Sequence, residues 1–339
     1  MTYTPEKLRE MSQVEIMEEV QRIFKERGGK ALELARREVL KEEIKCKEIR
    51  EALRYFMREY WRDLSRATLL SLCCEAVGGN PDATIPIAIS LSVIGGGIDI
   101  HDDIIDQSTI KEDRPTVYGK FGKEIALLVG DALLFKGFTL LSHEIEARFS
   151  ERMSEIMDVV KDMFFELGES EALELGFRGR LDVTPEEYLS MVKMRAAIVE
   201  ADARIGAIIG GGKEDEVETL GKYGRALGIL LVIRDDFVDL YEKQELLHRI
   251  QFECLPLPLL CALQNPRIAG ELLPMIRRET TFDLTVVLDT VLESREVKDL
   301  MKSMENIIKE KIHHLDKLKI GRTARPQLEL LLQAAVKGL

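Results

Sequence analysis

Two acidic motifs contain the residues of this sequence that are best suited to chemistry. Each has the form DDxxD: the first extends from Asp102 to Asp106, and the second from Asp235 to Asp239. The variable positions of both motifs are apolar, and the segments before them are also rich in apolar residues. On an α-helix, the first and last aspartates of such a motif lie on one face, one turn apart. Each motif is therefore predicted to present a pair of carboxylates on one side of a helix.

Paired carboxylates beside apolar surface need a compensating cation, because like charges at this spacing repel and burial disfavours the ionised form. Mg²⁺ is suited to this role, since it binds one or two carboxylates and completes its octahedral shell with water and substrate phosphate oxygens. Two such motifs facing each other across a helical cavity could hold several Mg²⁺ ions around a diphosphate. The alternative for either motif alone is a solvated acidic helix face.

The segments that carry these motifs are predicted to be helical. No proline occurs between Pro115 and Pro185 or between Pro185 and Pro256, and these stretches are rich in strong helix formers. Short alternating apolar runs bounded by Asn-Gly or Asp-Gly, which would indicate strands, are absent from the sequence. Breaks such as that at Gly78–Pro81 are spaced like helix connections within one body. The sequence predicts an all-α fold with a single domain over residues 1–339.

Composition excludes several classes of protein. The chain has 339 residues, with 60 acidic and 48 basic side chains, and its net charge of −12 argues against nucleic acid as a partner. Its five cysteines and five histidines form neither CxxC nor HExxH, so a structural zinc site and a disulfide scaffold are not expected. The longest uncharged run, residues 83–98, is shorter than the roughly 20 residues of a membrane span. We therefore expect a cytoplasmic protein without a stable membrane span.

The motifs and the residues around them resemble the trans-isoprenyl (polyprenyl) diphosphate synthase family. The resemblance extends from about Leu64 to Leu263 and is carried by HDDIIDQS, GDALL, YLSMVKMRAA and IRDDFVDL. It implies an all-α bundle around a deep central apolar cavity, usually as a homodimer, although a heteromer is possible. It also implies a Mg²⁺-dependent transferase that ionises an allylic prenyl diphosphate and condenses it with isopentenyl diphosphate.

The resemblance also implies roles for particular residues. Three Mg²⁺ ions are expected once a diphosphate is bound, with ligands from both ends of each motif and the remaining aspartates in support. The implied metal ligands are Asp102, Asp106, Asp235 and Asp239, and the supporting carboxylates are Asp103 and Asp236.

Basic residues are expected around the allylic diphosphate. Arg195 holds the position of a lysine that binds this group in the family, and Lys193 is a second candidate. Lys111 replaces an arginine with a similar role. Arg249 has the spacing of a further diphosphate-binding lysine that often follows the second motif.

The acceptor site departs from the family. Four positions that usually bind isopentenyl diphosphate with a lysine, an arginine, a polar residue and a second arginine are here Asp63, Arg66, Gly95 and Glu112. Only Arg66 is retained. At a contact distance of ~4 Å, each carboxylate would disfavour a diphosphate by about 1–4 kcal/mol.

Three interpretations of this departure remain open. The protein could be a polyprenyl diphosphate synthase whose acceptor is bound by other cations, for instance Lys120, Lys123 or Arg62. It could instead ionise an allylic diphosphate and use another nucleophile or cyclise the cation. It could also be a catalytically poor subunit of a heteromeric synthase. A fourth possibility, from a different class, is an interaction-only protein whose aspartate motifs are surface features.

The residues before the first motif bear on product length. In the family, bulky side chains on this helix turn form the floor of the product pocket, but here the turn contains Gly95, Gly96, Gly97 and then Ile98. We therefore expect substrate contact near Gly97 and a product of C20 or longer. The alternative is that these glycines allow another helix to pack closely.

Overall fold

The computed structural model describes residues 11–111, 113–316, 318 and 324–337. In these ranges the chain is almost entirely helical, with one short antiparallel hairpin that pairs Ile110 with Pro115 and Lys111 with Arg114. A π-helical turn covers Phe56–Tyr60, and 3₁₀ turns cover Pro81–Thr84 and Ser150–Arg152. The hairpin strands are β1 (Ile110–Lys111) and β2 (Arg114–Pro115), and the helices are α1 (Gln13–Leu40), α2 (Lys47–Tyr55), α3 (Ser65–Ala76), α4 (Ile85–Ile105), α5 (Val117–Phe121), α6 (Lys123–Arg148), α7 (Met153–Phe177), α8 (Pro185–Arg195), α9 (Ala197–Ile209), α10 (Glu214–Tyr241), α11 (Lys243–Phe252), α12 (Leu257–Leu263), α13 (Pro266–Ile276), α14 (Leu284–Glu293), α15 (Arg295–Leu315) and α16 (Ala324–Ala334).

Helix α4 carries the first motif and packs along α6 over most of its length. Small residues allow this close approach. A Cβ atom at Gly97 would lie 2.9 Å from the carbonyl oxygen of Gly130, and one at Gly137 would lie 2.5 Å from a side-chain carbon of Ile94. The position of the first motif is therefore fixed by tight contact between two long helices.

Helix α10 carries the second motif and packs against α9, which in turn packs against α3. Both motifs lie at the C-terminal ends of their helices, since α4 ends at Ile105 and α10 ends at Tyr241. The C-terminus is the negative end of a helix dipole, so acidic side chains there are unfavourable without a nearby cation. The fold thus adds a second electrostatic cost to the repulsion within each motif.

The helical content of the described residues confirms the prediction of an all-α fold. Buried apolar side chains from Ile16 to Ala335 form one contiguous cluster, and a smaller cluster surrounds Phe56 and Trp61 between α1, α2, α4 and α6. The single domain over residues 1–339 stays a prediction, with which the continuous cluster agrees.

Two helical stretches have the length and mean hydropathy of a membrane span. They are Pro81–Ile105, with 67% of its most apolar window buried in the protein, and Lys123–Arg148, with 33% buried. A third would arise if the bent pair Lys243–Phe252 and Leu257–Leu263 formed one span. The uncharged run of 16 residues is shorter than the first stretch, because the helix that contains this run continues to the first motif. The absence of a stable membrane span stays a prediction.

Candidate active site

Three carboxylates meet at the end of α4. One oxygen from each of Asp102, Asp106 and Glu171 lies within 4.8 Å of the other two. Glu171 is on α7, and its Oε2 atom is buried without a hydrogen-bond partner in the described structure. Hard oxygen ligands at this separation suit Mg²⁺, which would also satisfy the unpartnered oxygen. The arrangement therefore fits a Mg²⁺ ion.

Two basic side chains lie beside this trio. Lys111 on β1 contacts Asp103 at 2.8 Å and Asp102 at 3.4 Å through its Nζ atom. Arg195, the last residue of α8, donates to Glu171 at 2.7 Å and also contacts Glu174. The structure thus places two of the predicted diphosphate-binding cations at the first motif.

Arg178 is a third cation at this position. Its Nη2 atom donates to the carbonyl oxygen of Ile105 at 2.6 Å and to the carboxylate of Asp106 at 3.2 Å. It therefore neutralises part of the charge at the negative end of α4.

The second motif has a buried side and a side that faces a cavity. Asp236 is almost fully buried, where it accepts hydrogen bonds from the Tyr188 hydroxyl at 2.9 Å and from the Leu257 amide at 3.2 Å. Asp235 lines a cavity of about 510 Å³ between the helices. These contacts fix the backbone of the motif so that Asp235 points into the cavity.

Arg249 on α11 is tied to the buried side of this motif. Its Nη1 atom donates to Asp236 at 2.9 Å and Asp239 at 2.7 Å, and its Nη2 atom donates to the Tyr188 hydroxyl at 3.0 Å. Its Nε atom donates to the carbonyl oxygen of Cys254. Arg249 therefore lies behind the motif, and its direct contact with a diphosphate stays a prediction.

The two motifs approach each other through α11 and the residues after it. His248 lies 3.1 Å from the carbonyl oxygen of Asp106 and 3.3 Å from Glu253 through its Nε2 atom. Burial raises the pKa of Asp106 in the first motif and of Asp239 in the second, and the negative charge of Glu253 adds to both shifts. Both motifs therefore lie within electrostatic reach of one side chain.

Burial raises the pKa values of the motif carboxylates. The pKa is raised to about 6 for Asp103, Asp235 and Asp236, and to about 8 for Asp106, where the nearby charge of Asp102 adds to the effect. Removal from water disfavours the charged form of each group. A divalent ion would favour ionisation and reverse these shifts.

The 510 Å³ cavity has polar groups at one end and apolar side chains elsewhere. Arg66 lines it but is buried and forms a two-point ion pair with Asp202, at 3.1 and 3.0 Å. Asp63 and Asp99 also line it, and burial raises the pKa of Asp99 to about 7. Arg66, which the resemblance predicts to be at the acceptor site, is thus already paired with a carboxylate.

A smaller apolar pocket lies under the carboxylate trio. Its volume is about 150 Å³, and its wall includes Ile98, Leu134 and Phe164 together with Asp102 and Glu171. A hydrocarbon chain in this pocket would extend away from a diphosphate held at the trio.

Gly97 packs against α6, so the structure supports the close-packing alternative for this residue. Its neighbour Ile98 lines the apolar pocket, and Gly95 lines the larger cavity. These glycines therefore allow close packing more than they enlarge the cavities.

Comparisons with known proteins agree with this geometry. The Polyprenyl synthetase family model matches residues 47–283. The chain belongs to this family. It is 39% identical over 181 residues to a short chain isoprenyl diphosphate synthase of Methanothermobacter thermautotrophicus, covering 53% of this chain and 55% of that protein. It is also 35% identical over 205 residues to a geranylgeranyl diphosphate synthase of Methanosarcina mazei, covering 60% of this chain and 62% of that protein.

A solved structure extends the similarity over nearly the whole chain. The geranylgeranyl pyrophosphate synthetase of Pyrococcus horikoshii superposes with a TM-score of 0.80 at 25% identity, covering 95% of this chain and 99% of that one. By sequence, the chain spans little more than half the length of the two curated relatives. The predicted membership of the polyprenyl synthetase family and its fold are confirmed.

One predicted site residue, Lys193, lies outside this constellation. Lys193 is exposed, and its carbonyl oxygen accepts a hydrogen bond from Arg225. Arg195 is thus the better placed of the two candidates on α8. Glu112 lies outside the described residues.

Sequence reasoning missed several residues of the site. Glu171 and Glu174 surround Arg195, Tyr188 holds Asp236, and Asp202 pairs with Arg66. Glu171 and Glu174 are three residues apart, and this spacing predicts two carboxylates on one helix face. Nothing in the sequence links them to Arg195.

Proposed function

We propose that this protein is a Mg²⁺-dependent prenyltransferase that ionises an allylic prenyl diphosphate and condenses it with isopentenyl diphosphate. The observation that carries this proposal is the carboxylate trio of Asp102, Asp106 and Glu171 above an apolar pocket. The similarity to curated isoprenyl and geranylgeranyl diphosphate synthases supports the same activity.

Bound Mg²⁺ would stabilise the negative charge that develops on the diphosphate as it leaves. Lys111 and Arg195 provide fixed positive charge at the same place, which favours the transition state over the ground state. The apolar wall beneath the trio would shield the allylic cation from water, which would otherwise quench it. We expect three ions with a diphosphate bound, and the proposed ligands are Asp102, Asp106, Asp235 and Asp239, with Glu171 in addition.

The reaction breaks the bond between C1 of the donor and its diphosphate oxygen, and both electrons leave with the diphosphate. The double bond of isopentenyl diphosphate supplies the electrons for the new carbon–carbon bond, and the acceptor then loses a proton. We propose a product of C20 or longer, for which the growing chain must pass Ile98, Leu134 and Phe164 in the apolar pocket.

We also propose a homodimer formed through an exposed apolar surface on α6 and α7. Phe135 on α6 is 78% exposed and Phe165 on α7 is 71% exposed, and Leu128 and Leu175 are exposed on the same two helices. Exposed apolar patches of this kind mark interaction surfaces. A heteromer would use the same surface. A location in the cytoplasm stays a prediction.

An extension assay tests the proposed function. The full chain is incubated with Mg²⁺, labelled isopentenyl diphosphate and allylic donors from C5 to C20, and products are identified by mass spectrometry. We expect elongated prenyl diphosphates, with turnover lost in EDTA. Release of diphosphate without elongation would instead identify a non-standard acceptor or a cyclisation, and activity only with an added partner would identify a heteromeric subunit.

A further inference from the structure

A chain of polar contacts connects the two aspartate motifs. It begins at the backbone carbonyl oxygen of Asp106, which lies 3.1 Å from the Nε2 atom of His248. The same nitrogen lies 3.3 Å from one carboxylate oxygen of Glu253, and the other oxygen lies 3.3 Å from the Nε atom of Arg249. Arg249 then donates to Asp239 in the second motif at 2.7 Å. The side chains of His248, Glu253 and Arg249 form what we call the motif bridge.

The neighbours of His248 determine which of its ring nitrogens carries a hydrogen. The carbonyl oxygen of Asp106 can only accept a hydrogen bond, and the same holds for an ionised carboxylate such as that of Glu253. Both acceptors lie beside Nε2, so this nitrogen is the donor. The imidazole also packs on the Phe252 ring, with 5.0 Å between the ring centres. These contacts hold the ring of His248 in one orientation.

The carbonyl group that His248 contacts belongs to the last peptide of the first motif. Helix α4 ends at Ile105, and carbonyl groups at a helix C-terminus have no partner within the helix. The next residue, Gln107, has a φ of 57°, which is uncommon for a residue other than glycine. The backbone therefore turns sharply directly after Asp106. A donor on this carbonyl oxygen fixes the peptide plane, and with it the direction of the Asp106 side chain.

The rest of the motif bridge is shielded from water. Glu253 and Arg249 are both buried, and Leu246 anchors α11 in the core with no exposed surface. Charged groups interact more strongly in a protein interior than at a surface, and removing one partner leaves a buried charge without compensation. The motif bridge is therefore a rigid connection, in contrast to a surface ion pair whose side chains exchange partners with water.

We propose that the motif bridge holds the two aspartate motifs at the separation that a metal-bound diphosphate requires, with His248 as the positioning residue for the first motif. This inference rests on the proposed function for the diphosphate and its ions. A diphosphate that engages ions at both motifs binds only when the ends of α4 and α10 are correctly spaced. A separation that is set in advance lowers the conformational cost of binding.

Isothermal titration calorimetry of the full chain with inorganic pyrophosphate and Mg²⁺ tests the role of His248. We expect the wild type to bind and His248→Met to weaken binding about tenfold, because methionine fills space but donates no hydrogen bond. His248→Gln should restore most of the affinity, because glutamine has a similar length and its amide nitrogen can donate. The matched control is Gln244→Met, which removes an amide from an exposed residue of α11 and should leave the affinity unchanged.

The Mg²⁺ concentration for half-maximal pyrophosphate binding separates positioning from a merely structural role. His248→Met should raise this concentration, and His248→Gln should return it close to the wild-type value. If His248→Met only lowers the melting temperature in EDTA and leaves the affinity and the Mg²⁺ midpoint unchanged, the residue is structural and the inference is overturned. Equal weakening by His248→Gln or by Gln244→Met would overturn it as well.

The same titration distinguishes this inference from the proposed function. A wild type that does not bind pyrophosphate with Mg²⁺ would contradict the proposed function, and the inference would fail with it. A wild type that binds, with His248→Met equal to it, would leave the proposed function intact and remove only the motif bridge.

Discussion

At the scale of residues, the chain compensates its acidic motifs with its own cations. Lys111 contacts Asp102 and Asp103, Arg178 contacts Asp106, and Arg249 lies behind the second motif. These contacts offset part of the unfavourable electrostatic energy of clustering carboxylates at helix C-termini. A bound metal ion would add most electrostatic stabilisation at the trio of Asp102, Asp106 and Glu171 and at the cavity-facing Asp235.

Replacing Glu171 with glutamine tests its role as a ligand. Loss of one charged ligand should raise the Mg²⁺ concentration needed for half-maximal activity by about 10- to 100-fold. The measurement is a Mg²⁺ titration of the extension rate. The control, Glu169→Gln, changes an exposed residue of the same helix. Identical Mg²⁺ requirements for the two variants would remove Glu171 from the metal site.

The raised pKa values predict how the stability of the metal-free protein depends on pH. Between about pH 4 and 8, the unfolded chain releases protons that the folded protein retains, because the folded-state pKa is about 6 for Asp103, Asp235 and Asp236 and about 8 for Asp106. The free energy of unfolding should therefore fall as pH rises through this range.

Thermal melts in EDTA from pH 5 to 8.5 measure this dependence. Mg²⁺ with pyrophosphate should stabilise the protein more at pH 8 than at pH 5.5, because its ligands must be ionised. A melting temperature in EDTA that rises steadily towards pH 8 would contradict the raised pKa values of these carboxylates.

The sequence was sufficient to predict the pairs of carboxylates but not their partners. The spacing of Asp102 and Asp106 fixes their relation on a helix, since helix geometry is local. The contact of Glu171 with Arg195, and of Asp202 with Arg66, depends on how separate helices pack. The resemblance implies a diphosphate contact for Arg249, but its hydrogen bonds to Asp236 and Tyr188 depend on packing that the sequence does not indicate.

At the scale of elements, the contact between α4 and α6 positions the first motif. Alanine at Gly97 would bring a Cβ atom 2.9 Å from the carbonyl oxygen of Gly130, which is backbone and cannot move aside alone. We expect Gly97→Ala to destabilise the protein by about 1–3 kcal/mol. Thermal or denaturant unfolding measures the change.

A glycine with open space provides the control for this prediction. Gly29 lies within α1, and a Cβ atom there would have no described atom outside its own helix backbone within 4 Å. Gly29→Ala should therefore stabilise the helix by about 0.5–1 kcal/mol. If Gly97→Ala is as stable as the wild type, the helices do not approach as closely as the structure indicates.

The exposed apolar surface on α6 and α7 predicts that the protein forms a homodimer. Phe135→Glu places a charge at the most exposed apolar residue of α6, and it should convert a dimer to a monomer. Light scattering after gel filtration measures the mass. Val14→Glu, at an apolar residue on α1 that is 66% exposed, should leave the dimer intact. A wild-type monomer, or a dimer that survives Phe135→Glu, would contradict this use of the face.

At the scale of the whole molecule, the long helices α4 and α10 bring the two aspartate motifs, which are distant in the sequence, to one region of the fold. The all-α fold was predictable because proline spacing and helix-forming composition agree over long stretches. The hairpin between α4 and α5 was not, because two-residue strands leave too little pattern to detect. That hairpin carries Lys111 and Arg114, so part of the site depends on an element that the sequence does not indicate.

A crystal structure with Mn²⁺ and pyrophosphate tests most directly whether both motifs act on one diphosphate. Anomalous scattering locates each ion. We predict peaks at the trio of Asp102, Asp106 and Glu171 and at Asp235, with pyrophosphate oxygens bridging the two positions. Ions bound only at exposed acidic surfaces, or a space between the motifs that is filled by side chains, would contradict the account.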